Sequence, residues 1–214
     1  VLRLPDSVKI IANFSVGVDH CNLEAFRKRG IIVTNTPDVL SDATAEIAIL
    51  LMLGAARRAS EGERMMRDGS WQDWSPSFMV GSANTGKCLG IIGMGRVGQT
   101  VAKRARGFDM EIHYYNRNRL AEANEQGAVY HDSIESLLPV SYVLSLNCPA
   151  TPETINLLSA ERIARLPDGA IIVNTARCTL VDEKVLADAL TSGKLASAGL
   201  DVYQTEPGGS RDIS

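Results

Sequence analysis

One stretch constrains this chain more than any other: "GIIGMGRVGQ", residues 90–99. Behind it runs the apolar segment Leu89, Ile91, Ile92, and within it Gly93, Gly95 and Gly98 form a G-x-G-x-x-G array. In a strand–turn–helix setting each glycine has a task. The first permits a tight turn, the second lets backbone approach a pyrophosphate, and the third lets the helix pack close to the strand. The helix N-terminus then faces the phosphates with its unpaired N–H groups. Arg96 and Val97 stand inside the array and count with it as cofactor-contacting positions. An isolated array carries little weight, because glycines at this spacing also arise in ligand-free turns. Here the flanking pattern supplies the context, and a dinucleotide site is expected.

The rest of the chain agrees with that setting. Strands are predicted at 88–92, 110–115, 128–130, 142–147, 170–174 and 196–202, with helices over 96–106, 159–165 and 182–192 between them. Such alternation predicts an α/β fold with a doubly wound parallel sheet. Before the array, Lys9 to Phe14 reads as a strand, Asn22 caps a short helix closed by Gly30, and "IIVTN" follows as a strand. A single long helix is expected from about Ala43 to Arg67, ended by Gly69, because Ile47, Leu50, Leu51, Leu53, Met65 and Met66 recur at helical spacing. The expected division is 1–37 as part of a substrate domain, 38–207 as the dinucleotide-binding domain with its hinge or dimer helix, and 208–214 as an atypical tail.

Cofactor choice is read one strand further on. An acidic residue about 20 positions beyond such an array accepts from a free ribose 2′-hydroxyl. Asn116 stands there instead, 18 residues after Gly98, with Arg117 and Arg119 beside it. Guanidinium groups pair with a phosphate where a carboxylate would repel it. NADP(H) is therefore expected over NAD(H), the alternative being that both arginines are solvated surface charges.

Composition removes several other classes. A net charge of −3 gives no general attraction to nucleic acid or anionic membrane. Cys21, Cys88, Cys148 and Cys178 form no C-x-x-C pair, so neither a zinc site nor a disulfide framework is expected, and a reducing, cytoplasmic compartment is. The longest apolar run, Ile47 to Ala56, is too short to span a bilayer.

Taken together, "NFSVGVDHCNLEAFRKRGIIVTNTPDVLSDATAEIAI", "GIIGMGRVG", "NCPATPET", "LPDGAIIVNTARCTLVDEKVLADAL" and "SAGLDVYQTEP" resemble the D-2-hydroxyacid dehydrogenase family. The likeness leans toward its NADP-preferring glyoxylate/hydroxypyruvate reductases and covers about residues 1 to 207. The resemblance implies reduction of a small 2-oxo acid by NADPH in a homodimer built through the nucleotide domain. It implies that Val16 and Gly17 hold the substrate carboxylate through backbone amides. Arg177 in "NTARC" would bind the substrate and polarise its carbonyl, and Glu206 in "QTEP" would pair with the catalytic histidine. Asp201, Cys148, Pro149 and Thr175 would line the nicotinamide half of the cofactor, and Trp74 would reach the substrate site of the partner subunit.

Two departures from the family stand out. Cys178 replaces the glycine that usually follows the arginine, and it would be strained if that position required a positive φ. The family's general acid, a histidine in a P-H-x-G-S segment, falls beyond Ser214, and His20, His113 and His131 match none of that role. A chain without its proton donor would lose a factor of about 10²–10⁴ in rate. The sequence therefore reads as a fragment cut at both ends, starting at Val1 inside the substrate domain. A non-catalytic dinucleotide sensor or scaffold is the second reading.

Overall fold

The computed structural model describes residues 4–18 and 20–205. Near its N-terminus, β1 (Ile10–Ala12) and β2 (Ile32–Thr34) pair in parallel, Ile10 opposite Ile32. Between them runs α1 (Leu23–Lys28), capped by the Asn22 side chain, which accepts from the Ala25 N–H at 2.9 Å. Gly30 ends it at φ +68°. The strand, capped helix and strand expected here are thus present, and the two strands pair with each other.

The expected helix over Ala43–Arg67 is two helices. α2 (Ser41–Ala56) and α3 (Ala59–Asp68) meet at Arg58, which takes a left-handed φ of 54°. The break has a tertiary cause that helical periodicity does not encode. The Ala56 carbonyl accepts from the Ser82 N–H at 2.7 Å, so a later loop supplies the donor that a continuing helix would have provided. Gly69 closes α3 at φ +71°, as its position in the sequence suggests.

From Cys88 onward the alternation becomes one six-stranded parallel sheet. Its strands are β3 (Cys88–Ile92), β4 (Glu111–Tyr115), β5 (Val129–His131), β6 (Val143–Leu146), β7 (Ala170–Asn174) and β8 (Leu195–Leu200). They lie in the order β5-β4-β3-β6-β7-β8. That is the strand order of a dinucleotide-binding sheet, with the order reversing between β3 and β6. The connecting helices are α4 (Arg96–Ala105), α5 (Glu122–Glu125), α6 (Ile134–Leu137), α7 (Ala160–Arg165) and α8 (Glu183–Thr191). Ser159 caps α7, and the Asp182 carboxylate caps α8 by accepting from the Lys184 N–H at 2.9 Å.

Both faces of the sheet are covered, which explains its near-continuous apolar strands. On one face Leu89, Ile91, Ile112 and Tyr114 pack with Met52 of α2 and Val101 and Ala102 of α4. On the other, Ile92, Leu144, Leu146 and Ile172 pack with Leu137, Ile163 and Leu186 of α6, α7 and α8. β6 and β7 are buried along their whole length. Each fully buried valine, leucine or isoleucine among them stabilises the fold by about 1.5–3 kcal/mol.

Candidate cofactor and substrate site

All six strands of the sheet run in parallel, so their C-terminal ends share one edge, and the turns after them carry the polar residues of interest. After β3 the chain turns at Gly93 with φ +96°. A Cβ there would lie 2.6 Å from the Cys148 backbone nitrogen, so no side chain fits between the ends of β3 and β6. Gly95 is the extended N-cap of α4, with open space where its Cβ would project. Gly98 is buried in the first turn, and a Cβ there would meet the Gly93 carbonyl oxygen at 2.3 Å. These are the three tasks expected of the array: a turn, an open backbone approach, and close packing of helix on strand.

One side-chain bond and one backbone bond fix the turn. The Met94 N–H donates to Asn116 Oδ1 at 2.7 Å, and the Gly93 N–H donates to the Tyr115 carbonyl at 3.0 Å. Asn116 thus ties the end of β4 to the glycine loop. Arg96 pairs with Asp38 at 2.5 Å on the surface, while Val97 packs partly buried against the core.

A cleft of about 520 Å³ opens at the β3/β6 reversal. Gly93, Gly95, Asn116, Arg117, Cys148 and Pro149, all singled out in the sequence, line it. Tyr115, Asn118, Asn147, Thr151, Glu153 and Thr154 line it too and were missed. Asn147 stands inside the "NCPATPET" segment, so its signal was present. Its Oδ1 is buried without a hydrogen-bond partner, as is Thr175 Oγ1 at the end of β7. Buried polar atoms are rarely left so. Two orphaned oxygens on the edge that bears a glycine cradle fit a polar ligand with donor groups, as a nicotinamide dinucleotide has.

The charges of the cleft are unequal. Arg117 forms no ion pair or hydrogen bond within the described residues; Glu153 is the carboxylate that feels its charge. Arg119, by contrast, is committed elsewhere, donating to both oxygens of buried Glu125 at 2.7 and 3.0 Å. Burial pushes the Cys148 thiol up to about 11, so it stands in the cleft as a neutral thiol at physiological pH.

The remaining candidates are spread along the sheet edge and the N-terminal unit. Arg177 follows β7, exposed, with one guanidinium nitrogen on the Ala176 carbonyl at 2.8 Å and its own carbonyl accepting from Asn174 Nδ2. Cys178 opens a short 3-10 turn and has no positive φ, so the strain foreseen for a non-glycine residue there does not arise. Asp201 follows β8 and donates its N–H to the Asn174 carbonyl at 3.0 Å. The Val16 and Gly17 carbonyls accept from the side-chain amides of Asn35 and Asn13, at 2.9 and 3.0 Å. Trp74 is 70% exposed on its loop. Glu206 and the tail 208–214 lie outside the described residues.

The three histidines are engaged elsewhere. His20 shares a 2.9 Å hydrogen bond with Asn13, and His113 and His131 share one of 2.9 Å between β4 and β5. No three His, Cys, Asp or Glu residues converge to hold a metal ion among the described residues. Nor is any described helix long and apolar enough to cross a membrane.

Known proteins place this geometry. Residues 49–212 match the family described as D-isomer specific 2-hydroxyacid dehydrogenase, NAD binding domain. The chain is 50% identical over 207 residues to a glycerate dehydrogenase of Hyphomicrobium methylovorum, covering 96% of this chain and 64% of the relative. It is 46% identical over 212 residues to a glyoxylate reductase of Thermococcus litoralis, covering 97% and 64%. Among solved structures, a glyoxylate reductase from Paecilomyes thermophila superposes with a TM-score of 0.88 at 45% identity, covering 95% of this chain and 61% of that one. The chain therefore spans somewhat under two thirds of the length of these relatives. With its strand order, its glycine turn and these likenesses, it belongs to the D-isomer specific 2-hydroxyacid dehydrogenase family.

Proposed function

We propose that this chain is the nucleotide-binding part of an NADP(H)-dependent reductase of small 2-oxo acids of the glyoxylate or hydroxypyruvate type. The observation that carries the reading is the cleft at the β3/β6 reversal, where bare glycine backbone, the orphaned oxygen of Asn147 and a guanidinium at the end of β4 occur together, with the orphaned Thr175 oxygen on the same sheet edge. The relatives named glyoxylate reductase and glycerate dehydrogenase support the substrate class.

In this reading Gly93, Gly95 and the first turn of α4, with Arg96 and Val97, hold the pyrophosphate against backbone amides. Asn147 and Thr175 accept from the nicotinamide end, beside Cys148, Pro149 and Asp201. Arg117 faces the ribose 2′-phosphate, where Asn116 supplies no competing negative charge. A bound nicotinamide dinucleotide supplies the hydride. Arg177 neutralises the charge that gathers on the substrate's carbonyl oxygen, and the Val16–Gly17 amides hold its carboxylate. Glu206 serves the proton-donating group, a part that the bonded histidines His20, His113 and His131 leave to another residue.

The same reading makes the protein a cytoplasmic homodimer. Four free cysteines fit a reducing compartment. α2 leaves Ile47 and Leu50 exposed, at 37% and 63%, on a helix that is apolar around much of its circumference. Such a face is suited to a second copy, with Trp74 reaching the partner.

The test is a fluorescence titration of the chain with NADPH and with NADH, repeated on Arg117→Ala. NADPH is expected to bind more tightly, with the preference lost in the variant. Tighter NADH binding by the unmodified chain would overturn the cofactor assignment.

A further inference from the structure

Arg117 projects from a segment with no regular structure, Asn116 to Ala121, yet both flanks of that segment are pinned. On one side Asn116 accepts the Met94 N–H of the glycine turn at 2.7 Å. On the other a buried cluster takes hold. Glu125, 5% exposed at the end of α5, accepts from the hydroxyl of fully buried Tyr114 at 2.6 Å and from Arg119 through both oxygens. The same Tyr114 oxygen accepts the Leu120 N–H at 3.1 Å. Arg119 also stacks over the Tyr130 ring, 5.6 Å from its centroid. Arg106 adds a hydrogen bond to the Glu125 carbonyl at 3.1 Å.

Two consequences follow for the cleft. The backbone on either side of Arg117 has little freedom, so its guanidinium reaches the cleft from a fixed base. Arg119, the neighbouring cation that the sequence also offered for a 2′-phosphate, is withheld by a carboxylate that it cannot leave without burying an unpaired charge. The Arg119 guanidinium first, and the Tyr114 hydroxyl second, hold the Glu125 carboxyl down at about 2, so it is ionised throughout the physiological range.

We propose that Glu125 is a positioning residue for cofactor selectivity: through Tyr114 and Arg119 it fixes the segment 116–121 so that Arg117 alone is presented to the 2′-phosphate of NADP(H). The inference rests on the proposed function, in which Arg117 faces that phosphate. Holding in advance the loop backbone that carries the contacting side chain contributes roughly a three- to tenfold gain in affinity for the ligand that uses it. A ligand without the 2′-phosphate gains nothing from it.

The experiment titrates NADPH and NADH by fluorescence into the unmodified chain, Glu125→Gln, Arg117→Ala and the double variant. Glu125→Gln is expected to weaken NADPH binding roughly three- to tenfold with NADH within about twofold. In the Arg117→Ala background the same substitution is expected to add no further selective loss, because its effect runs through Arg117. Equal loss for both dinucleotides, no loss, or a gain for NADPH as Arg119 is released would each overturn the proposal. If Arg117→Ala leaves the NADPH-to-NADH ratio unchanged, the cofactor reading fails and this proposal with it; if that ratio shifts while Glu125→Gln does nothing, only the positioning role fails. Should Glu125→Gln not fold, Tyr114→Phe keeps the ring and removes the hydroxyl, and the same selective loss decides.

Discussion

The six-stranded sheet and the β1–β2 pair are made from similar material, short isoleucine-rich parallel strands, but their surroundings differ. Ile91, Ile171 and Ile172 are fully buried or nearly so, between helices on both faces. Ile10 and Ile32 keep 57% and 63% of their surface exposed, and among the described residues around α1 only Phe26 and Ile31 are buried. Parallel strands need cover on both faces, and here one unit has it within the chain while the other has a single helix. The pattern of residues sets which segments become strands; neighbours decide how much each strand contributes to stability.

That contrast can be broken at its strongest point first. Ile171→Ala in β7 is expected to cost about 2–5 kcal/mol, because the cavity it leaves cannot collapse between two packed helical layers. Urea unfolding measures this, and a loss under 1 kcal/mol would mean that the sheet core is looser than its burial indicates.

Next in size is Gly98→Ala. The new methyl meets the Gly93 carbonyl, a backbone atom that cannot swing aside. A loss of about 1–3 kcal/mol is expected, together with loss of dinucleotide binding in the fluorescence titration. Retained binding would separate helix packing from the cradle.

A pH scan sharpens the comparison at the sheet's edge. Burial first, and His131 beside it second, hold the His113 imidazole below its ordinary value of 6.5, with Glu111 opposing. The unfolded chain then binds the proton more readily, so stability is full above 6.5 and falls as the pH drops toward the lower folded value. Glu125 adds a second loss further down, as the pH falls from its ordinary 4.5 toward about 2. Melting temperature against pH reads both, and His113→Asn is expected to flatten the upper step alone.

The smallest effect belongs to the other region. Ile10→Ala is expected to change stability by no more than about 0.5 kcal/mol, since a largely exposed side chain gives up little on truncation. A cost comparable to that of Ile171→Ala would show that the N-terminal pair is covered in solution by a second surface.

Legibility in the sequence followed the same division. All six sheet strands, the glycine turn and the caps at Asn22 and Gly69 are local chemistry, and each is written in a handful of adjacent residues. The break at Arg58 is not, because its cause is Ser82, a donor more than twenty residues away along the chain. Arg117 and Arg119 look equivalent in "NRNR"; only the buried Glu125 distinguishes the cation at the cleft from the one that is tied down. Asn147 was within a quoted segment, but its significance lies in an oxygen that finds no partner, which a sequence cannot display.

The crowding around Gly93 has a consequence for how such a site can diverge. The floor of the cleft is defined by atoms that are missing, at Gly93 and Gly98, where backbone faces backbone and any added carbon collides. Its rim, Arg117 and Asn118 and across to Glu153, is made of exposed side chains. In the proposed reading, exchanging one dinucleotide for another calls for changes at the rim, where a new side chain meets no backbone. The floor offers no such gradual route, and so in that reading the choice of cofactor can drift while the glycine cradle stays fixed.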